Sequence, residues 1–122
     1  MTAKKIMIVD NEEGLCRMME AVLLDDGHAV RSFTDPLEAC ELFRAGVWDL
    51  VISDIKMPGI DGLEATRRIM ASDDPPHVLV MSTHESGNFD RPALEAGAFG
   101  FLPKSSFSMD ALEAVWADIQ RR

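Results

Sequence analysis

Four polar residues that could accept a phosphoryl group or stabilise its charge each follow a short apolar run. They are Asp10, Asp54, Ser82 and Lys104. Two carboxylates brought close together repel each other. A hard divalent cation with oxygen ligands, such as Mg²⁺, relieves that repulsion while both stay ionised. A carboxylate can attack phosphorus when a metal, an ammonium group and a hydroxyl stabilise the charge on the transferred oxygens. Asp54, Lys104 and Ser82 fit the roles of nucleophile, ammonium and hydroxyl, provided that the fold brings them together.

The segments between these residues alternate regularly in type. Apolar, strand-like runs lie at residues 6–9, 29–33, 50–53, 78–81 and 99–102, and segments with the apolar spacing of helices lie between them. This alternation predicts an α/β fold of the flavodoxin-like (βα)5 type, a doubly wound five-stranded parallel sheet with strand order 2-1-3-4-5. The run at 29–33 alternates in polarity, as expected of an edge strand.

The helical segments carry recognisable start and stop signals. The apolar residues of the first helix follow the pattern i, i+3, i+4, i+7 and i+8, and they are Leu15, Met18, Met19, Val22 and Leu23. Gly27 is the expected end of that helix, while Asp35 and Gly46 are the expected cap and end of the second. Further helices are predicted at about 62–71 and 91–96. A terminal helix is also predicted, and the residues expected on its inward face are Leu112, Val115, Trp116 and Ile119.

This topology places the four polar residues at one edge of the sheet. In an open parallel sheet, ligands bind outside the carboxyl ends of the strands, where the strand order reverses. Here that point lies between the first and third strands, which end at Asp10 and Asp54. Ser82 follows the fourth strand and Lys104 the fifth, so the sequence predicts a phosphoryl-transfer site at this edge.

Composition narrows the classes of function. The chain has 122 residues, enough for one domain, and its formal net charge of −9 has the wrong sign for a surface that binds nucleic acid or anionic lipid. No apolar run approaches the roughly 20 residues that cross a bilayer, so neither a membrane span nor a signal peptide is expected. Cys16 and Cys40 belong to no metal-binding or redox motif, and we expect reduced thiols in a cytoplasmic protein.

Several stretches resemble the receiver domain of two-component response regulators, the CheY-like family, and the resemblance covers essentially the whole chain. The most specific stretch is Asp54-Ile55-Lys56-Met57-Pro58-Gly59-Ile60-Asp61-Gly62. Weaker ones are Ile8-Val9-Asp10-Asn11-Glu12, Met81-Ser82-Thr83 and Gly97-Ala98-Phe99-Gly100-Phe101-Leu102-Pro103-Lys104. The resemblance implies a receiver domain over residues 1–122, with no output domain visible within them.

By this resemblance Asp54 is the phosphoacceptor and Lys104 pairs with the phosphate. Mg²⁺, or Mn²⁺ in its place, would be held by Asp10, Asn11, Asp54 and the backbone carbonyl of Lys56. Ser82 or Thr83 would supply the switch hydroxyl, and Phe101 the aromatic side chain that changes rotamer with it.

The resemblance also implies partners. The phosphoryl donor would be a sensor histidine kinase or a phosphotransfer protein. The phosphorylated domain would control an output domain or an effector protein, or form a homodimer through the face of helix four, strand five and helix five.

Two residues depart from the family pattern. Asn11 stands where a metal-binding carboxylate is expected, so metal affinity should fall unless Glu12 reaches in as a ligand. Ser105 stands where proline usually follows the lysine, so no cis peptide bond is expected there.

Two other classes of function remain open. A metal-dependent phosphatase would also form an aspartyl-phosphate, but the likeliest such superfamily places a second aspartate two residues after the nucleophile, where this chain has Lys56. A phosphorylation-independent interaction module could keep the fold without efficient chemistry, and Asn11 favours that alternative. The primary interpretation is a phosphoacceptor switch and not an enzyme that turns over external substrate.

Overall fold

A parallel sheet forms the centre of the molecule. The computed structural model describes residues 1–43, 46–55, 61–82 and 90–121, and within them lie five strands. They are β1 (Lys5–Val9), β2 (Ala29–Phe33), β3 (Leu50–Asp54), β4 (His77–Ser82) and β5 (Gly100–Pro103). Their order is β2-β1-β3-β4-β5 and all pairs are parallel, so the predicted topology is confirmed.

Helices connect the strands. They are α1 (Glu13–Asp25), α2 (Pro36–Leu42), α3 (Gly62–Met70), α4 (Asp90–Glu95) and α5 (Met109–Gln120), with a short 3-10 helix at Lys104–Ser106 after β5. The predicted element boundaries agree with these to within two residues, with one exception at the end of α2.

Side-chain caps set where several helices begin. The Asp35 carboxylate accepts a hydrogen bond from the backbone N–H of Leu37, and the Ser108 hydroxyl oxygen accepts one from the N–H of Ala111. The prediction that Gly46 ends α2 is wrong. The chain already turns to an extended conformation at Phe43, whose ψ is 133°, so Gly46, with φ +78°, lies in the turn beyond.

Two apolar layers cover the two faces of the sheet. Successive β1 side chains point to opposite faces. Ile6 and Ile8 pack in the layer that includes residues of α1 and α5, while Met7 and Val9 pack in the layer that includes residues of α2 and α3. All four are no more than 1% exposed. Burying each such side chain contributes roughly 1.5–3 kcal/mol, which explains why the central strands are continuous apolar runs.

The buried face of α1 is rotated from the predicted one. Cys16, Met19 and Leu23 form the buried stripe, whereas Met18, which we expected in the core, is 43% exposed. Each residue advances the helix by about 100°, and Met18 therefore falls outside a stripe centred on Met19. Cys16 is buried, Cys40 is partly buried, and both are free thiols. None of the helices in the described ranges is long and apolar enough to cross a membrane.

Candidate functional site

The Lys104 ammonium joins two carboxylates at the carboxyl edge of the sheet. Its Nζ lies 2.8 Å from Asp10 Oδ2 and 3.2 Å from Asp54 Oδ2, and a third carboxylate oxygen, Glu12 Oε1, lies 3.6 Å away. The side chains of Lys104, Asp10 and Asp54 are all at most 7% exposed, while that of Glu12 is 58% exposed. The fold thus brings together charged residues from the segment after β1, the end of β3 and the segment after β5.

Asp54 is the last residue of β3, and the strand pairing determines its position. It lies opposite Met81 in the parallel register with β4, and the next backbone N–H, that of Ile55, donates to the carbonyl of Met81 over 3.1 Å. The Ser53 hydroxyl also donates to the Asp54 carbonyl over 3.1 Å. The backbone from which the Asp54 carboxylate projects is therefore held on both sides.

Asp10 is fixed at the end of β1 by a separate set of hydrogen bonds. Its N–H donates to the carbonyl of Phe33 over 2.9 Å, and its Oδ1 accepts from the N–H of Glu12 over 2.9 Å. The Cys16 thiol donates to the Asp10 carbonyl over 3.2 Å. The sequence alone predicts only a reduced thiol at Cys16. Its position six residues after Asp10, in the first turn of the following helix, was the signal for this contact.

The charges at the site oppose and compensate one another. Burial raises the pKa of the Asp54 carboxyl and the charge of Asp10 raises it further, while Lys104 offsets only part of that effect. Burial alone would lower the pKa of Lys104. The hydrogen bonds and charges of Asp10 and Asp54 outweigh burial, so the pKa of Lys104 is raised. Lys104 therefore stays charged at neutral pH, and Asp54 holds its proton more tightly than an ordinary aspartate.

Of the remaining predicted residues, the structure describes Ser82, Phe101 and Asn11. Ser82 ends β4 and is 1% exposed. In the register with β5 it lies opposite Pro103, the residue that precedes Lys104. Phe101 is partly buried against the second apolar layer. Asn11 is exposed at the start of the loop after β1. Thr83 and Lys56 lie outside the described residues.

The donor set suits a hard divalent cation in charge and chemistry. Three carboxylates surround a single ammonium, which leaves an excess of two negative charges, and the available ligand atoms are oxygens, as Mg²⁺ prefers. Across the described part of the chain, no three His, Cys, Asp or Glu side chains form a group that could hold a metal ion by themselves. The Lys104 ammonium lies between the carboxylates of Asp10 and Asp54 in this conformation. Asp10 and Asp54 are the two buried carboxylates of this site that could contribute oxygen ligands to a metal.

Comparison with known proteins shows the family to which the chain belongs. The family described as the response regulator receiver domain matches residues 6–116. Response regulator MprA of Mycobacterium sp. (strain KMS) is 30% identical over 118 residues, which are 97% of this chain and 51% of MprA. Response regulator GacA of Pseudomonas aeruginosa is 33% identical over 116 residues, covering 91% of this chain and 53% of GacA.

A solved structure supports the same assignment. The response regulator receiver domain protein from Clostridium thermocellum superposes with a TM-score of 0.85 at 27% identity, covering 97% of this chain and 95% of that one. The chain spans about half the length of the curated relatives MprA and GacA. This chain belongs to the response regulator receiver domain family of two-component signalling systems.

Proposed function

We propose that this receiver domain accepts a phosphoryl group on Asp54 in a Mg²⁺-dependent reaction and changes conformation in response. The observation that carries the proposal is the contact of one buried ammonium, Lys104 Nζ, with the carboxylates of both Asp10 and Asp54. A buried lysine shared by two aspartates at the carboxyl edge of a parallel sheet is well suited to pair with an incoming phosphate.

The metal would be held by the carboxylates of Asp10 and Asp54, with Asn11, the backbone carbonyl of Lys56 and Glu12 as further oxygen donors. When bound, Mg²⁺ would neutralise the two carboxylates and the phosphoryl oxygens, and Mn²⁺ could serve in its place. Because Asn11 contributes no charge, the binding energy would depend mainly on the two buried aspartates.

The phosphoryl transfer would use three side chains of this domain, those of Asp54, Lys104 and Ser82. A carboxylate oxygen of Asp54 attacks phosphorus, forming an O–P bond while the P–N bond of a donor phosphohistidine breaks. The leaving imidazole keeps the bonding electron pair. The Lys104 ammonium pairs with the transferred phosphoryl oxygens, and the Ser82 hydroxyl donates to another of them. Hydrolysis of the acyl phosphate returns the switch to its starting state.

Phosphorylation would be transmitted from Ser82, Thr83 and Phe101 to the face of α4, β5 and α5. The added charge of about −1.5 to −2 draws hydrogen-bond donors toward the phosphate, and Phe101 would change rotamer with them. Phe101 also lines a groove of about 580 Å³ with Leu94 of α4 and Val115 of α5. An output domain, an effector protein or a second copy of the domain would dock on this face.

The donor would be a sensor histidine kinase or a phosphotransfer protein, as the family assignment indicates. The acidic charge of the chain, formally −9, argues against direct binding of nucleic acid by this segment.

Intact-mass analysis after incubation with acetyl phosphate tests the proposal. We expect one phosphate adduct on the wild-type protein in Mg²⁺, none in EDTA, and none on the Asp54→Asn variant. Asp49→Asn is the matched control, because Asp49 ends no strand and its carboxylate accepts from the N–H of Lys5. An adduct that survives in Asp54→Asn, or that forms equally in EDTA, contradicts the proposal.

An interaction module that works without phosphorylation is the second candidate, and the uncharged Asn11 favours it. In that case partner binding would be unchanged by Asp54→Ala, and no adduct would form even in excess Mg²⁺. Phosphoryl acceptance instead requires that Asp54→Ala abolish any effect of the phosphodonor on partner binding.

A further inference from the structure

The backbone of Asp54 meets the first residue of α3 in a contact that involves no charged side chain. A Cβ atom built on Gly62 would lie 1.8 Å from the Asp54 carbonyl oxygen and 2.7 Å from its carbonyl carbon. It would also lie 2.9 Å from Cα of Ile55, and real Cβ atoms essentially never come within 3.0 Å of another heavy atom. All three neighbours are backbone atoms, so none can swing away as a side chain would.

The need for glycine at this position is steric. Gly62 is not among the described residues with positive φ, which include Gly27, Gly46 and Gly97. It is the first residue of an α-helix, where many residue types are accepted when space allows. Close approach of the Asp54 carbonyl is therefore what excludes a side chain.

One hydrogen bond holds Gly62 against the strand end, and a second fixes it within α3. Its N–H donates to the carbonyl of Ile55 over 2.7 Å, which closes the loop between β3 and α3. Its carbonyl accepts from the hydroxyl of Thr66 over 2.7 Å, and Thr66 is fully buried. This bond lies within the start of α3, so Thr66 fixes the peptide of the residue that touches Asp54.

We propose that Gly62, held in place by Thr66, is a positioning residue that fixes the backbone of the phosphoacceptor. The proposal rests on the proposed function. A side chain at position 62 would push the Asp54 peptide away and tilt its Cα–Cβ bond. The carboxylate would then leave its place 3.2 Å from Lys104 Nζ. A displacement of about 1 Å can lower the rate of an oriented reaction by about a hundredfold.

The test compares Gly62→Ala with Gly14→Ala, because a Cβ on Gly14 meets no atom within 4 Å. The readout is the initial rate of Mg²⁺-dependent phosphorylation over a range of acetyl phosphate concentrations. Gly62→Ala should lower the maximal rate at least about tenfold, and Gly14→Ala should stay within about twofold of wild type. A folded Gly62→Ala protein that is phosphorylated at the wild-type rate overturns the proposal.

A second pair of variants decides the outcome if Gly62→Ala does not fold. Thr66→Val keeps the shape but loses the hydroxyl, whereas Thr66→Ser keeps the hydroxyl donor. The maximal rate should fall in Thr66→Val and be retained in Thr66→Ser. Equal rates in these two variants would overturn the role of Thr66 and, with it, the positioning role.

Amide exchange measured by NMR separates this proposal from the proposed function. In Gly62→Ala, or in Thr66→Val if the first variant does not fold, the amides at positions 55 and 62 should exchange at least about tenfold faster, while those of Val51 and Val80 stay protected. If the wild-type protein accepts no phosphate, the proposed function fails. The same exchange pattern then still supports the positioning of Asp54, and unchanged exchange at positions 55 and 62 refutes it.

Discussion

At the scale of single residues, the site combines repulsion between two carboxylates with the pairing of each carboxylate to the same ammonium group. Asp10 and Asp54 are buried carboxylates that share one ammonium. Lys104 is closer to Asp10, at 2.8 Å, than to Asp54, at 3.2 Å. Asp54 is therefore the less closely paired of the two, and burial, together with the charge of Asp10, raises its pKa.

This imbalance predicts that Asp54→Asn stabilises the metal-free protein at neutral pH. Because the pKa of Asp54 is raised in the folded state, its favourable contribution exists only at low pH and is lost as the pH rises through that pKa. We expect the free energy of unfolding to rise by on the order of 1 kcal/mol at pH 7.5 and the gain to vanish in acid.

Urea unfolding in EDTA, followed by the fluorescence of Trp48 and Trp116, measures this change. Asp10→Asn is the comparison, since it removes the charge of the closer partner of Lys104 while its amide oxygen can still accept from the Glu12 N–H. A lower stability of Asp54→Asn than of wild type at pH 7.5 would show that burial of the Asp54 charge and its repulsion by Asp10 do not outweigh its pairing with Lys104.

Asn11 stands where the family resemblance implies a metal-binding carboxylate, and restoring that carboxylate should raise metal affinity. Asn11 is exposed beside Asp10, so Asn11→Asp adds a carboxylate at the edge of the site without disturbing the core. Mg²⁺ should bind about tenfold more tightly, because affinity follows the number of charged ligands. Calorimetry of Mg²⁺ binding checks this, with Ala21→Glu on the exposed side of α1 as a control for net charge. Equal tightening in both variants would mean that only overall charge had changed.

At the scale of elements, α1 contacts the site through Cys16, whose thiol donates to the carbonyl of Asp10. Burial, followed by the charges of Asp10 and Glu20, raises the pKa of the Cys16 thiol to about 11. Burial also raises the pKa of Cys40. Both thiols should therefore be protonated and unreactive at neutral pH, and Cys16, which is 2% exposed, should be the slower of the two.

Alkylation with iodoacetamide at pH 8, read by peptide mass, tests this prediction. Each thiol should react at least about tenfold more slowly in the folded protein than in urea. The unfolded chain loses the Cys16 proton near the ordinary pKa of 9, so the free energy of unfolding should fall as the pH rises from 9 towards about 11. A Cys16 that is alkylated as fast in the folded protein as in urea would contradict its burial at the site.

At the scale of the whole molecule, the topology could be predicted because the pattern of apolar residues in each segment indicates whether it forms a strand or a helix. Continuous apolar runs indicate strands buried on both faces, and alternation in the β2 segment indicates an edge, which is where β2 lies. The convergence of Asp10, Asp54 and Lys104 followed from that topology, since parallel strands end at one edge.

Details that depend on packing could not be predicted in the same way. The rotation of α1 that exposes Met18 depends on which of two adjacent apolar stripes fits the sheet, and apolar spacing alone allows both. The contact of Glu12 with Lys104 and the approach of Gly62 to Asp54 depend on loop geometry. Sequence identifies these residues but not the distances between them.

The proposed acceptor of the phosphoryl group is Asp54, and chemical trapping tests this assignment most directly. Borohydride reduces an aspartyl phosphate to homoserine, so protein incubated with acetyl phosphate and Mg²⁺ can be reduced, digested and mapped by tandem mass spectrometry. We predict homoserine at position 54, absent when EDTA replaces Mg²⁺ or when the phosphodonor is left out. Homoserine at another aspartate, or at none while the protein is fully folded, would contradict the assignment of Asp54 as the acceptor.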